Sequence, residues 1–160
     1  MKNKQKIRGV AVGAVVAALY VVLTYLANML GLASGAVQVR LSEILTVMPV
    51  FTPYAIPGLF IGCVLANVLT GCALWDVVFG SLATLIGAIG TYLLRKHNLL
   101  SLVPPILANA IIVPFVLLFV YSLDGTYFYF FATVGIGEVI SCGVFGTILL
   151  KSLKKYDKFL

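Results

Sequence analysis

The stretch VQVRLSEILTVMPVFTPYAIPG, residues 37–58, decides how this chain folds. It places Arg40 and Glu43 three positions apart and then carries three prolines at four-residue intervals. The chain around it is almost free of charge, because residues 9–39 and 44–75 contain no Asp, Glu, Lys or Arg. A charged pair and a series of helix-breaking residues inside such an apolar sequence require a physical explanation.

The composition predicts an all-α integral membrane protein. Of the 160 residues, 62% are hydrophobic and only 10% are charged, and the mean hydropathy is +1.13. A soluble domain needs more polar surface than this. Residues 77–94 and 98–123 are two further uncharged runs, and each run meets or approaches the ~20 apolar residues that cross a bilayer as a helix. The period of two that is typical of membrane barrel strands is absent.

The basic residues indicate which segments face the cytoplasm. Ten of the 11 Lys and Arg residues fall into three clusters, which are Lys2, Lys4, Lys6 and Arg8; Arg95 and Lys96; and Lys151, Lys154, Lys155 and Lys158. These clusters sit at the ends of apolar runs, as expected of cytoplasmic membrane flanks. The net charge of +6 therefore does not indicate a nucleic-acid partner. Arg40 is the one basic residue outside the clusters.

Counting crossings explains the prolines. If all three clusters are cytoplasmic, an even number of helices must separate each pair, so the run 44–75 must cross twice or not at all. As one helix, its 32 residues would measure roughly 48 Å, which is too long for a ~30 Å hydrocarbon core. Proline removes a backbone donor and breaks helices, and we predict the turn at Thr52-Pro53-Tyr54.

The resulting expectation is one domain, residues 1–160, with six transmembrane helices and both termini cytoplasmic. After the first run, the predicted helices are 41–52 (short), 54–71, 75–94, 99–121 and 127–152. The acids Glu43, Asp76 and Asp124 then all fall on the outer side. We expect a multi-pass protein of the plasma membrane.

Three charged side chains in this apolar chain are candidates for binding a ligand. An ionisable group in lipid costs at least ~2.5 kcal/mol, so it usually faces a cavity or a partner. Arg40 and Glu43 at i, i+3 form either a local salt bridge at the membrane surface or a ligand contact with donors and acceptors. Glu138, in GIGEVIS, lies deep in the last helix. It is either protonated between helices or forms the floor of a pocket.

Four other residues have two interpretations each. Trp75 in an outer loop is an interfacial anchor or a stacking surface for a planar ligand, with Asp76 beside it as an acceptor. Asn67 and Asn109 lie within helices and bond either to another helix or to a ligand.

The first helix carries a small-residue face. Ala11, Ala14 and Ala18 share it, and Ala14-x-x-x-Ala18 permits close helix contact. The contact is made either with another helix of this chain or with a partner protein. No catalytic, metal-binding or nucleotide-binding motif is present, so we expect neither an enzyme nor a cofactor nor a metal.

The segments VQVRLSEILTVMPVFTPYAIPGLFIGCVLANVLTG and GCALWDVVFGSLATLIGAIGTYL resemble the QueT family of substrate-binding (S) components of energy-coupling factor (ECF) transporters. The likeness covers most of the chain and is strongest over residues 37–94. It implies binding of a queuosine precursor from outside, which is a 7-deazaguanine base in its aminomethyl form. It also implies docking through Ala14 and Ala18, with Ala11 on the same face, onto an EcfT-like transmembrane coupling subunit that carries two ATPase subunits.

That ligand suits the candidate residues. The carboxylate of Glu138 or Glu43 would accept hydrogen bonds from the guanine-like edge of the base. Asp76 or the other Glu would bind the ammonium group of the aminomethyl substituent. Arg40 or an Asn amide would donate to the carbonyl, and Trp75 would stack on the ring. The alternatives are an S component for another vitamin or purine-like solute, and a solitary secondary transporter with Glu138 as a proton carrier. An intramembrane enzyme or assembly factor is the least favoured.

Overall fold

The computed structural model describes residues 2–32 and 38–155, with side chains from Lys4 onward. Within these ranges every regular element is helical, which confirms the predicted all-α class. The elements are α1 (Lys2–Met29), a 3-10 helix (Leu41–Val50), α2 (Ala55–Leu69), α3 (Leu74–Leu93), a 3-10 turn (Leu100–Leu102), α4 (Val103–Phe119), α5 (Tyr127–Glu138), a π-helical segment (Val139–Phe145) and α6 (Gly146–Lys154).

Four segments of the described chain are long and apolar enough to span a membrane. They are Lys4–Met29, Leu74–Leu93, Leu100–Phe119 and Tyr127–Lys154. The last of these combines α5, the π-helical segment and α6 without a break, and we call it the last span. The helices Leu41–Val50 and Ala55–Leu69 are apolar but shorter, with 10 and 15 residues.

The chain reverses where the prolines predict it. The 3-10 helix ends at Val50, and α2 begins at Ala55, so the predicted turn at 52–54 is confirmed. The predicted second helix, 41–52, differs in kind, because it is a 3-10 helix with Pro49 inside it. A 3-10 helix rises about 2.0 Å per residue against 1.5 Å for an α-helix, so these few residues extend further than an α-helix would.

The 3-10 helix is the central element of the fold. Its buried side chains include Leu45, Thr46 and Val47, and it packs against α1, α3, α6 and the π-helical segment. Leu45 belongs to one apolar cluster with α1 and α2, and Val47 belongs to another with Leu102 and Leu150. The polar residues of this short helix therefore lie inside the bundle and not on its surface.

The basic segments meet at one end of the bundle, which we call the basic end. The start of α1 lies there, because Gly9 sits against the ring of Tyr54 in the turn before α2. The end of the last span joins them through a hydrogen bond from Lys154 to Asn98. Arg40 and the loop between α2 and α3 lie at the opposite end, where both border the same cavity.

Candidate functional site

A cavity of about 270 Å³ opens at the end of the bundle that carries Arg40. We call it the Arg40 cavity. Its lining residues come from α1, the 3-10 helix, α2, α3, α4 and their connections: Thr24, Ala27, Asn28, Gln38, Arg40, Ser42, Asn67, Thr70, Cys72, Asp76, Val113, Leu117, Tyr121 and Leu123. Small-molecule pockets usually measure ~300–1,000 Å³, so this cavity suits a compact ligand.

Arg40, Asn67 and Asp76, all predicted from the sequence, meet at this cavity. Nη2 of Arg40 donates a hydrogen bond to Oδ1 of the buried Asn67 at 3.2 Å. Gly80 leaves room for the other two side chains, since a Cβ there would lie 3.3 Å from both Asn67 Nδ2 and Asp76 Oδ1. A guanidinium, an amide and a carboxylate therefore converge on one small space.

Asp76 is held by a tyrosine that the sequence did not single out as a site residue. Tyr121 donates its hydroxyl hydrogen to Oδ2 of Asp76 at 2.9 Å and accepts from the backbone N–H of Ala73 at 3.2 Å. Partial burial, together with the adjacent Asp76 carboxylate, raises the pKa of Tyr121 to about 12. The hydroxyl therefore stays protonated and remains a donor to Asp76 at physiological pH.

Glu43 is buried and does not pair with Arg40. The backbone of Arg40 is extended, ahead of the 3-10 helix, whereas Glu43 lies inside that helix with 0% of its surface exposed. Oε1 of Glu43 accepts hydrogen bonds from the hydroxyl of Tyr20 and, at 3.3 Å, from that of Thr84. The side-chain hydrogen bonds of Arg40 and Glu43 therefore go to different residues, Asn67 for Arg40 and Tyr20 and Thr84 for Glu43, and no salt bridge joins the two.

Glu138 joins Glu43 in a buried polar cluster. Oε2 of Glu138 accepts from the thiol of Cys142 at 3.3 Å, and the same thiol lies 3.4 Å from the carbonyl oxygen of Glu43. One ligand atom from each of these three residues lies within 4.8 Å of the others. Such a set of oxygen and sulfur donors could hold a small cation, and two neighbouring carboxylates in an apolar interior require a positive charge or a proton nearby.

Several buried polar atoms beside this cluster have no hydrogen-bond partner. They are Oε2 of Glu43, the hydroxyls of Ser42 and Ser141, and both amide atoms of Asn109. Asn109 faces Glu138, but it makes no hydrogen bond of normal geometry. A buried polar group without a hydrogen-bond partner lowers the stability of the fold by about 1–3 kcal/mol. Such groups usually bind water, an ion or a ligand. Ser42 also borders the Arg40 cavity, so it connects the cavity to the cluster.

Trp75 is not among the residues that line the cavity. The tryptophan and Asp76 were expected in a loop, but α3 begins at Leu74, so both lie in its first turn. The indole is 58% exposed and stacks on Phe79, one turn further along. This arrangement suits the interfacial anchor that the sequence also allowed.

The comparison with known families agrees with this architecture. The sequence profile of the family described as QueT transporter matches residues 10–155, which is most of the chain. The chain belongs to the QueT transporter family. That family is one of membrane transporters, and the four long apolar segments make the chain a multi-pass membrane protein.

A curated relative points the same way. The chain is 37% identical over 85 residues to a protein of Lactococcus lactis subsp. cremoris (strain MG1363) that is named Queuosine precursor transporter QueT. The match covers 52% of this chain and 49% of the relative, so it spans only about half the length of that protein. No solved structure matches the chain.

In this member of the QueT family, Ala14 and Ala18 line an open groove between α1 and α2. Ala11, Ala14 and Ala18 are exposed. The contact between α1 and α2 uses other small residues, because a Cβ on Gly58 would lie 2.4 Å from the carbonyl oxygen of Gly13. The close approach of α1 to α2 therefore uses Gly13 and Gly58, and the choice of contact partner for the alanines stays a prediction.

Four residues of the site carried no signal in the sequence that we recognised. Tyr20, Thr84 and Cys142 each lie within a long uncharged run of the sequence, with no charged residue beside them. Tyr121 follows the apolar residues of α4 directly and is one of eight tyrosines in the chain. Each is identified by its contact with Glu43, Glu138 or Asp76, and those contacts exist only in the folded bundle.

Proposed function

We propose that this chain is the membrane-embedded substrate-binding subunit of an ECF importer and that it binds a queuosine precursor in the Arg40 cavity. The observation that carries the proposal is the convergence of Arg40, Asn67 and Asp76 at one small cavity. The name of the Lactococcus relative supports the solute class. The ligand would be a 7-deazaguanine base, in its 7-aminomethyl form.

The proposed membrane topology has six crossings and cytoplasmic termini. Positive charge favours the cytoplasmic side, and the clustering of basic segments at one end of the bundle supports this orientation. The Arg40 cavity, at the other end, would then open to the outside. The 3-10 helix and α2 would form the short pair of crossings, with their turn at the basic end.

The cavity's chemistry suits a protonated aminomethyl deazaguanine. Asp76 would receive the ammonium group, with Tyr121 fixing the orientation of its carboxylate. The guanidinium of Arg40 and the amide of Asn67 would donate to the carbonyl oxygen of the base. Hydrogen bonds that involve a charged group are worth ~1.5–3 kcal/mol, so two or three of them give useful affinity even in a small site.

One of the two buried acids, Glu43 or Glu138, would bind the guanine-like edge of the base. That edge presents an N–H and an amine, which one carboxylate can accept together. Glu138 and Glu43 lie beyond the present lining of the cavity, and Ser42 and Asn109 are the neighbouring polar groups without partners. In this proposal, the base enters far enough to engage one of the two carboxylates.

Partner docking would use the exposed side of α1. An apolar groove of about 550 Å³ runs between α1 and α2, and Ala14, Ala18 and Tyr54 are among its lining residues. Small side chains let a partner helix approach closely. The coupling subunit, with two ATPase subunits attached, would seat a helix there.

The test is ligand binding by the detergent-purified protein, measured by calorimetry with 7-aminomethyl-7-deazaguanine and with guanine as the competitor. Glu138→Gln and Arg40→Ala should each weaken affinity at least about tenfold, the loss expected for one charge-assisted hydrogen bond. Asp124→Asn and Arg95→Ala are matched controls, because both residues are exposed and neither lines the cavity. Unchanged affinity in the two site variants would refute the site.

A second experiment separates a subunit from a complete carrier. The buried Glu43–Glu138 pair is also what a proton-coupled secondary transporter would need. Proteoliposomes that contain only this chain should show no uptake driven by a pH gradient. Uptake without any ATPase present would replace the proposed subunit with a solitary carrier.

A further inference from the structure

A second cavity, of about 390 Å³, lies at the basic end of the bundle. It is formed between the segment that precedes α4 and the end of the last span, and we call it the lysine groove. Its lining residues are His97, Asn98, Leu99, Leu100, Thr147, Leu150, Lys151 and Lys154. None of them lines the Arg40 cavity or the apolar groove between α1 and α2.

The lysine groove lies where two membrane spans end. The apolar span that includes α4 begins at Leu100, and the last span finishes at Lys154. Leu99 and Leu100 form part of the groove and are 62% and 58% exposed. An apolar wall and basic side chains at the end of two spans are what the boundary between acyl chains and headgroups contacts.

The polar side of the groove is positively charged and held in position. Lys154 donates a hydrogen bond to the side-chain oxygen of Asn98, and the backbone carbonyl of Asn98 accepts from the hydroxyl of Ser101 at 2.6 Å. Lys151 lies one helical turn before Lys154 on the same groove. A packed contact between Leu102 and Leu150 joins the two walls.

Acidic residues do not neutralise this charge within the described part of the chain. The Asp and Glu residues there are Glu43, Asp76, Asp124 and Glu138, and none of them lines the groove. Lysine ammonium groups that share a recess without a carboxylate attract an anion. Because the recess also has exposed leucines on its wall, the complementary ligand has both an anionic head and an apolar chain.

We propose that the lysine groove binds one anionic phospholipid. The phosphate would lie between Lys151 and Lys154 with His97 at its edge, and an acyl chain would run along Leu99 and Leu100. The proposal does not depend on the identity of the transported solute. A bound lipid would join the start of α4 to the end of the last span and stabilise that end of the bundle.

The test uses detergent-purified protein with palmitoyl-oleoyl phosphatidylglycerol or the matching phosphatidylcholine, and native mass spectrometry to measure lipid affinity. Each basic residue near an anionic membrane surface is worth roughly a factor of five, so Lys151→Gln with Lys154→Gln should weaken phosphatidylglycerol binding about 30-fold. The control is Lys4→Gln with Lys6→Gln, which removes the same charge from the exposed start of α1. This control should change the affinity for phosphatidylglycerol less than threefold. Lys151→Arg with Lys154→Arg should retain binding.

Three outcomes would overturn the proposal. Equal loss in the two glutamine pairs would mean that the attraction is diffuse. Competition by inorganic phosphate at the same concentration as the lipid would mean that the groove binds a free anion. Equal affinity for phosphatidylcholine would exclude an anionic lipid and favour an acidic segment of a protein partner. Unchanged thermal unfolding of the glutamine variants without added lipid verifies that they fold.

Discussion

Gly137 lets the backbone that carries Arg40 pass close to the last span. A Cβ at this position would lie 2.0 Å from the carbonyl oxygen of Gln38 and 3.0 Å from its carbonyl carbon. Contacts between carbon and oxygen normally need at least ~3.3 Å, so Gly137→Ala must displace the segment at 38–40 by more than about 1 Å. Gly137 therefore admits the backbone of the segment that leads to Arg40.

We expect Gly137→Ala to lower the free energy of unfolding by about 1–3 kcal/mol, the usual cost of overpacking. The gain in helix propensity of up to ~1 kcal/mol offsets only part of this strain. The displaced segment leads directly to Arg40, so the hydrogen bonds of Arg40 lose their geometry. Solute affinity should therefore fall about tenfold. Thermal unfolding in detergent and calorimetric binding measure the two effects.

Gly135→Ala is the matched control on the same helix. Its added Cβ would meet only the Cβ of Ala110, at 3.8 Å, which is an ordinary van der Waals contact. We therefore expect unchanged binding and an unfolding temperature that is equal or slightly raised. If Gly137→Ala behaves like Gly135→Ala, then the close passage of Gln38 does not exist and the reasoning about Arg40 fails with it.

Three further predictions concern other contacts. Tyr20→Phe removes a hydrogen-bond donor to the buried Glu43 and should lower the free energy of unfolding by about 1–3 kcal/mol. The measurement is the unfolding temperature, which should fall. An unchanged unfolding temperature would contradict the hydrogen bond between Tyr20 and Glu43. Because the folded pKa of Tyr121, about 12, exceeds its ordinary value near 10, stability should fall as pH rises from ~10 to ~12. Tyr121→Phe should reduce this dependence of stability on pH. If the variant shows the same dependence, then Tyr121 is not the group responsible. Gly58→Ala should destabilise the fold, whereas Ala14→Leu, at an exposed position, should leave unfolding unchanged and weaken only partner capture.

Much of the fold is predictable from the sequence because the responsible forces are local. Long uncharged runs indicate membrane-spanning helices regardless of how those helices pack. A proline in a run that is too long for one crossing indicates where the chain reverses direction. The same reasoning missed the 3-10 form of residues 41–50, since the choice between helix types depends on what surrounds a short buried segment. It placed the start of the helix 75–94 one residue late, at Trp75 and not at Leu74, because helix starts are uncertain by one or two residues.

The candidate site was only partly predictable. Rare polar residues in an apolar chain identified Arg40, Asn67 and Asp76, and the structure brings these three together at one cavity. It separates Arg40 from Glu43 and leaves Trp75 outside the cavity lining. Neither rotation about a helix axis nor the backbone conformation at the start of a helix can be derived from a count of residue types.

The sequence by itself determined the class of protein, the position of the chain reversal and the family. These follow from hydropathy, proline chemistry and a specific motif, all of which are properties of neighbouring residues. Only the tertiary structure decided which side chains meet Glu43. Tyr20, Thr84 and Cys142 lie 23, 41 and 99 positions away from it. Contacts at such separations depend on how helices are rotated and packed, because each helix offers several faces and packing selects one.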